Sequence, residues 1–389
     1  MKHSLGRWTA AAVALGLTGL TAACAPGGGA GSSDPNGPIK IAYLGILTGP
    51  NAVKGGTDAF ELAVRQINEG GGIGGRRVEF RTFDTDITPE GARRATSLAI
   101  KYHPAAIVGY GVSSGLKASM LLIKGAGIPV IHNTLGSLTS AANLKYDRAF
   151  RMGPTTTQYA EAANRYLIDT LDVKSILMIH TEDAAPTEGA QKVVANAKTK
   201  GVRTTQRSVP PDVTDLTEPV LAARHAGAIW EWGYATTDAL VVKQAAQNNV
   251  HVPIMTFTVG SAVVNGLLPS SLATKNTLNV SNCGATVLNT PAARKFVAAY
   301  TKAFGRAPED YLEPRNYDAM YLLEHAIEQA GSIDGGKIAA ALKTLTYNGA
   351  CGTLKADSRN NLYQNVPILS WAGGKPALAK LEEKLPTDF

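Results

Sequence analysis

The stretch "AAIVGYGVSSGLKASMLLI", residues 105–123, runs from a compact apolar segment into one whose apolar residues recur at helical spacing. Between them sits Gly111-Val112-Ser113-Ser114-Gly115, a match to G-x-S-x-G. Read as a nucleophile elbow it makes the chain a serine hydrolase; read as a loop at a strand's carboxyl end it holds something without reacting with it. Ser114-Gly115-Leu116-Lys117 also spells the S-x-x-K of penicillin-interacting serine enzymes, but the companion S-D-N and K-T-G signals are absent. A serine nucleophile needs a base and a group to orient that base. Of the late histidines, His251 begins a strand in "NNVHVP" and His325 lies inside the amphipathic helix "YLLEHAIEQAG", so neither stands on a late catalytic loop. Gly109-Tyr110-Gly111 followed by Gly115 has the wrong spacing for a G-x-G-x-x-G phosphate loop. The stretch therefore reads as strand, binding loop and helix.

Working outward, the same alternation extends in both directions. Upstream come the strand "IKIAYLGIL", the helix "GGTDAFELAVRQINEGGGIGG" with its glycine stop, the period-two strand "RRVEFRTFDTD" and the helix "PEGARRATSLAIKY". Downstream, "IPVIHNT" is a strand, and after "RAFRMGPTTTQYAEAANRYLIDTL" the alternation restarts with "KSILMIHTED", "TEGAQKVVANAKTKG" and "VRTTQRSV". A helix over 216–226, strand "AIWEWGY", helix "DALVVKQAAQNN" and strand "VPIMTFTVG" complete the second unit. Two helices, "AARKFVAAYTKAFG" and "YDAMYLLEHAIEQAG", and a strand-like tail through "VPILSWAGG" follow. Such βαβ alternation predicts parallel sheets covered by helices, here in two units.

The amino terminus carries a different signal. Lys2, His3 and Arg7 precede "AAAVALGLTGLTAA", an apolar small-residue run too short to span a bilayer, and Cys24 follows. Residues 1–23 read as a signal peptide and resemble a bacterial lipobox with Cys24 as the lipidated residue, although Leu20 stands one place earlier than usual and Thr21 takes its position. Residues 24–38, "CAPGGGAGSSDPNGP", are a flexible tether that would hold the body at the outer face of a membrane. Loss of the leader removes Lys2 and Arg7 and no acid, so the formal charge falls from +7 to +5, scattered over the chain and without a basic, aromatic-interleaved helix. Nucleic acid is not an expected partner. Cys283 and Cys351, the pair left after Cys24, read as a disulfide in an exported protein. No metal site is expected: the 7 histidines are scattered, no H-E-x-x-H or close Cys pair occurs, and Asp84 and Asp86 read as caps of the following helix.

The phrases "IAYLGILTGPNAVKGGTDAFELAVRQINEGGGIGG", "FDTDITPEGARRATSLA", "AAIVGYGVSSG", "AGIPVIHNT", "FRMGPTTTQYAEAAN" and "YDAMYLLEHAIEQAG", in this order and spacing, resemble the type I solute-binding proteins of ABC transporters. The nearest resemblance is to the leucine/isoleucine/valine-binding group, over residues 39–371. It implies an α/β fold of two Rossmann-like lobes joined by three hinge crossings, with lobe 1 at 39–154 plus 286–358 and lobe 2 at 155–285 plus 359–380. It also implies no enzymatic activity and no cofactor, a small-molecule ligand held in the cleft, and a transporter permease as partner. A sensor subunit serving a signalling partner would have the same signature.

In that family a serine-rich loop holds the ligand carboxylate, and Ser113 and Ser114 match its position; a helix beginning near Leu116 would add its dipole, with one serine as N-cap. The further matching positions are Lys54, His132, Leu135, Ser137, Tyr234 and Thr258. Two of them depart from the amino-acid binders. Thr258 stands where an acid pairs with the ligand ammonium, and Lys54 where an aromatic is usual. A carboxylate without an α-ammonium, aromatic or alicyclic, is the ligand these departures imply, with Trp230, Trp232 and Tyr234 sharing one strand face and Trp230 read as core. Glu231 or Asp183 could instead supply a displaced acid and restore an amino-acid ligand.

Overall fold

A computed structural model describes residues 37–309, 311–362, 365–372 and 375–385. The leader, Cys24 and nearly all of the tether fall outside the described residues. The first sheet holds β1 (Ile39–Gly45), β2 (Val78–Asp84), β3 (Ala106–Gly109), β4 (Val130–His132) and β5 (Ala149–Arg151) in the order β2-β1-β3-β4-β5, every pair parallel. β1 and β3 are nearly continuous apolar runs because helices cover both faces of the sheet. β2, at the edge, keeps the alternation seen in its sequence.

The second sheet is built from β6 (Ser175–Thr181), β7 (Arg203–Val209), β8 (Ala228–Trp232), β9 (Ile254–Thr256) and β10 (Thr277–Val280), all parallel. β11 (Thr346–Gly349) and β12 (Gly352–Lys355) form a separate hairpin. β13 (Val366–Ala372) and β14 (Lys375–Glu382) then join the second sheet antiparallel, giving the order β14-β13-β10-β9-β8-β6-β7. Both sheets are thus parallel and flanked by helices as expected, with an antiparallel pair added at this one edge. A strand returning from the other lobe with no helix to reverse it runs the opposite way, and its hairpin partner follows.

The chain passes between the sheets three times: between β5 and the helix Thr156–Asn164, between β10 and the helix Ala285–Leu288, and between β12 and β13. Helices Pro291–Phe304, Glu313–Ala330 and Gly335–Thr344 return to the first lobe, where Phe296, Tyr300, Tyr317 and Met320 share one core with Tyr43 and Phe60. The core of the second lobe centres on Tyr159, Met178, Trp230, Trp232 and Met255. Before the last passage, Arg151 donates its amide to Asn360 O and accepts from the Leu362 amide, so this segment still lies along β5. Cys283, in the second passage, is bonded to Cys351 in the turn of the small hairpin, with Cα atoms 5.3 Å apart. The bond closes 68 residues, worth roughly 4 kcal/mol in the chain-entropy account.

Candidate ligand cleft

Parallel strands of the two lobes point their carboxyl ends at each other, and the loops leaving β1, β3, β4, β6, β8 and β9 line one cleft. A cleft between domains at strand ends is where small organic ligands bind. The turn out of β3 is tight. Gly109 has φ +124°, and a Cβ there would lie 2.0 Å from the Leu44 carbonyl oxygen, so the chain can swing directly into the Ser113 loop.

The helix Ser113–Ala126 opens at the cleft with Val112, in extended conformation, as its N-cap and without any side-chain cap. It starts three residues earlier than the sequence reading placed it, and neither serine is the N-cap. The uncapped N–H groups of the first turn, with the positive end of the helix dipole, are free to meet an anion. Ser113 and Ser114 both line the cleft, and the Ser113 hydroxyl accepts the Gly136 amide at 3.1 Å. Opposite, Asp183 is the N-cap of the helix Ala184–Thr199 yet makes no cap hydrogen bond. Its Oδ2 is buried and without a partner. Tyr234 stands beside it; burial first, and then the Asp183 carboxylate, pushes the phenol above its usual pKa. Asn133 donates to Asn316 Oδ1 at 2.8 Å and leaves its own Oδ1 buried and unpartnered.

An aromatic wall closes the second-lobe side. Trp232 and Phe257 stack at 5.8 Å and 24°, Tyr311 meets Phe257 edge-on at 5.8 Å, and all three line the cleft. Trp230 lies behind, stacked on Trp232 at 4.9 Å and 7°, in the core where the sequence put it. Among the described residues, Asp183 is the one acid that lines the cleft, and no lysine, arginine or histidine does. No histidine or lysine among the described lining residues stands in the cleft to activate Ser113 or Ser114.

Of the residues singled out in the sequence, Ser113, Ser114, Leu135, Tyr234 and Thr258 meet in this cleft. Lys54, His132 and Ser137 are not among its lining residues. Lys54 is the exposed first residue of the helix Lys54–Glu69, and Asn51 and Val53 just before it take the cleft positions. His132 is buried at the end of β4 with Nδ1 2.9 Å from Thr134 Oγ1; burial, then Arg151, holds its pKa well below the imidazole value. Ser137 donates both its amide and its hydroxyl to Glu188 Oε2 at 2.8 Å. Thr258 lines the cleft but gives its hydroxyl to Asp238 at 2.9 Å.

Glu231 is fully buried and does not line the cleft; burial and the neighbouring Asp238 push its carboxyl pKa well up. Asp183 is thus the candidate acid that reaches the ligand space. Asn51, Asn133, Phe257 and Tyr311 were not anticipated, because each follows or precedes a strand or helix and belongs to no periodic pattern. The helix following β2 is capped by Thr88, which accepts the Gly91 amide at 3.0 Å. Asp86, read as a cap, instead accepts the Thr88 hydroxyl at 2.6 Å. Among the described residues no group of three His, Cys, Asp or Glu is placed to hold a metal, and no helix is long and apolar enough to cross a membrane.

A family profile described as periplasmic binding protein matches residues 38–375. The chain belongs to this family. Relatives and neighbours agree with the membership. The leucine-, isoleucine-, valine-, threonine- and alanine-binding protein of Pseudomonas aeruginosa is 23% identical over 369 residues, covering 89% of this chain and 93% of that one. The branched-chain amino acid transporter substrate-binding protein of Streptococcus pneumoniae, solved with isoleucine, superposes with a TM-score of 0.79 at 22% identity, covering 90% of this chain and 100% of that one. A solute-binding protein of an R. palustris ABC transporter, solved with benzoate, gives 0.77 at 20% identity, with 90% and 98% covered. These likenesses establish the two-lobed fold of type I periplasmic binding proteins.

Proposed function

We propose that this binding protein captures a small amino-acid-like solute between its lobes and delivers it to the permease of an ABC importer. The observation that carries the reading is the charge of the cleft: an uncapped helix N-terminus at Ser113 and Ser114 faces Asp183, the one acid among the described lining residues, which include no basic side chain. A carboxylate suits the first and an ammonium the second. An unpaired buried charge would be costly at either end, so a zwitterion answers both. The wall of Trp232, Phe257 and Tyr311 supports a bulky apolar or aromatic side chain.

A second reading is the aromatic or alicyclic acid without an ammonium. It loses the support of Lys54, which is exposed and off the cleft, but the aromatic wall still favours a flat body, and a ring hydroxyl could donate to Asp183. The chain would act without chemistry of its own, the ligand enriching a closed form already populated without it, because only that form contacts the ligand from both lobes. Anchoring of an exported body through a lipid on Cys24, and lobes at 39–154 plus 286–358 and 155–285 plus 359–380, belong to the same proposal. A sensor serving a signalling partner would use the same closure. Thermal unfolding of the protein against amino acids, aromatic acids, alicyclic acids and short amides tests the ligand class. A ligand at about a hundred times its Kd adds roughly 2.7 kcal/mol, and a response to none of these classes would refute the reading.

A further inference from the structure

Glu188, on the second-lobe helix Ala184–Thr199, reaches the first lobe outside the ligand space. Its Oε2 accepts both the amide and the hydroxyl of Ser137 at 2.8 Å, and its Oε1 accepts the Thr156 hydroxyl at 2.7 Å. Three donors on one carboxylate make a charge-assisted cluster, the stronger kind of hydrogen bond. Ser137 sits in a rigid turn: Arg151 donates to Gly136 O at 3.0 Å and also to Thr134 O. The residue before Ser137 gives its amide to the Ser113 hydroxyl at 3.1 Å. Two consecutive amides of one turn are therefore both engaged, Gly136 with the candidate ligand serine and Ser137 with the other lobe. On the opposite rim, Thr236 donates to Asn51 Oδ1 at 3.3 and 3.2 Å, and Asn265 donates to Ala52 O at 2.9 Å.

We infer that Glu188 is a positioning residue for closure: it holds the closed lobes together and ties that hold to occupancy of the Ser113 subsite through the Gly136-Ser137 turn. The inference rests on the two-lobe capture reading above. Glu188 touches no ligand; its effect is on how long the closed form lasts. Loss of the carboxylate shortens the closed state and speeds ligand departure, while the choice among ligands, set at Asp183 and the aromatic wall, is unchanged.

The Ser137 amide reports the contact directly. Hydrogen exchange and small-angle scattering on the full ligand-free chain, with Glu188→Gln and, on the other lobe, Ser137→Ala, test it without assuming any ligand. Glu188→Gln is expected to lower protection of the Ser137 amide by roughly tenfold or more, and both variants are expected to increase the radius of gyration. Unfolding temperatures near that of the parent establish that both variants are folded. Unchanged protection in Glu188→Gln, or lost protection with an unchanged radius of gyration in both variants, overturns the inference and makes the contact a local one. Neither result depends on which solute binds.

Discussion

Asp183 and Thr258 show how one residue's role depends on what already occupies it. Thr258 lies where an ammonium partner was sought, but its hydroxyl is committed to Asp238. Asp183 makes no cap bond, keeps a buried oxygen unpartnered and lines the cleft. Asp183→Asn should weaken an amine-bearing ligand roughly ten- to a hundredfold, the worth of a hydrogen bond to a charged group, and leave the corresponding acid without the amine nearly unchanged. Titration calorimetry with such a pair checks it. Ser114→Ala should weaken binding of both members by roughly tenfold or more through loss of a hydrogen bond to the ligand carboxylate; a measurable hydrolysis that vanished with it would restore the nucleophile reading. The serines were legible because the match fell on a strand-to-helix junction. Lys54 was misleading because its position in the phrase was right while helix geometry, which begins at Lys54 itself, turns it to solvent and leaves Val53 inside.

At the scale of elements, the helix Ala184–Thr199 lies so close to the aromatic wall that a Cβ on Gly189 would fall 2.4 Å from the Trp232 ring. Gly189→Ala should destabilise the protein by about 1–3 kcal/mol, as overpacking does, and should also weaken ligand binding because the same helix carries Asp183. Calorimetric unfolding together with ligand titration separates the two effects. Most of the alternation from β1 to β9 was readable from its longer elements, although β4, β5 and β9 have three residues each and β5 was not read as a strand. β10 is four residues, "TLNV", with Asn279 buried inside the lobe and donating to Phe257 O at 2.8 Å, so its polar content hid a core strand. The β11–β12 hairpin and the helix Gly335–Thr344 were missed for related reasons: exposed polar strands of four residues, and a helix that opens on Gly-Gly and is capped by Asp334. The reversal at β13 and β14 has no local signature, since strand direction is decided by where the chain re-enters the sheet.

Over the whole molecule, several acids of the described residues are deeply buried. Burial raises the carboxyls of Glu231, Asp238, Glu309 and Glu313, and takes Asp318 up to about 7 despite the amides of Ala350 and Cys351 donating to it. In each case the folded state binds its proton more tightly than the unfolded chain, whose carboxyls titrate near about 4. Between its unfolded and folded values each unfolded carboxyl has already released the proton, so stability falls as pH rises; for Asp318 this window runs from about 4 to about 7. The protein should thus unfold at a higher temperature near pH 5.5 than near pH 8, and Asp318→Asn should flatten part of that slope; scanning calorimetry across the range checks both.

The central claim is that the closed cleft holds a carboxylate at the Ser113 helix end and an ammonium at Asp183. The most direct measurement is titration calorimetry of the protein with matched pairs: leucine against 4-methylpentanoate, and phenylalanine against 3-phenylpropanoate. The account predicts that binding is confined to members carrying the amine and that Asp183→Asn erases the difference. Equal or tighter binding of an amine-free acid would contradict it and return the ligand to the class of simple aromatic or alicyclic carboxylates.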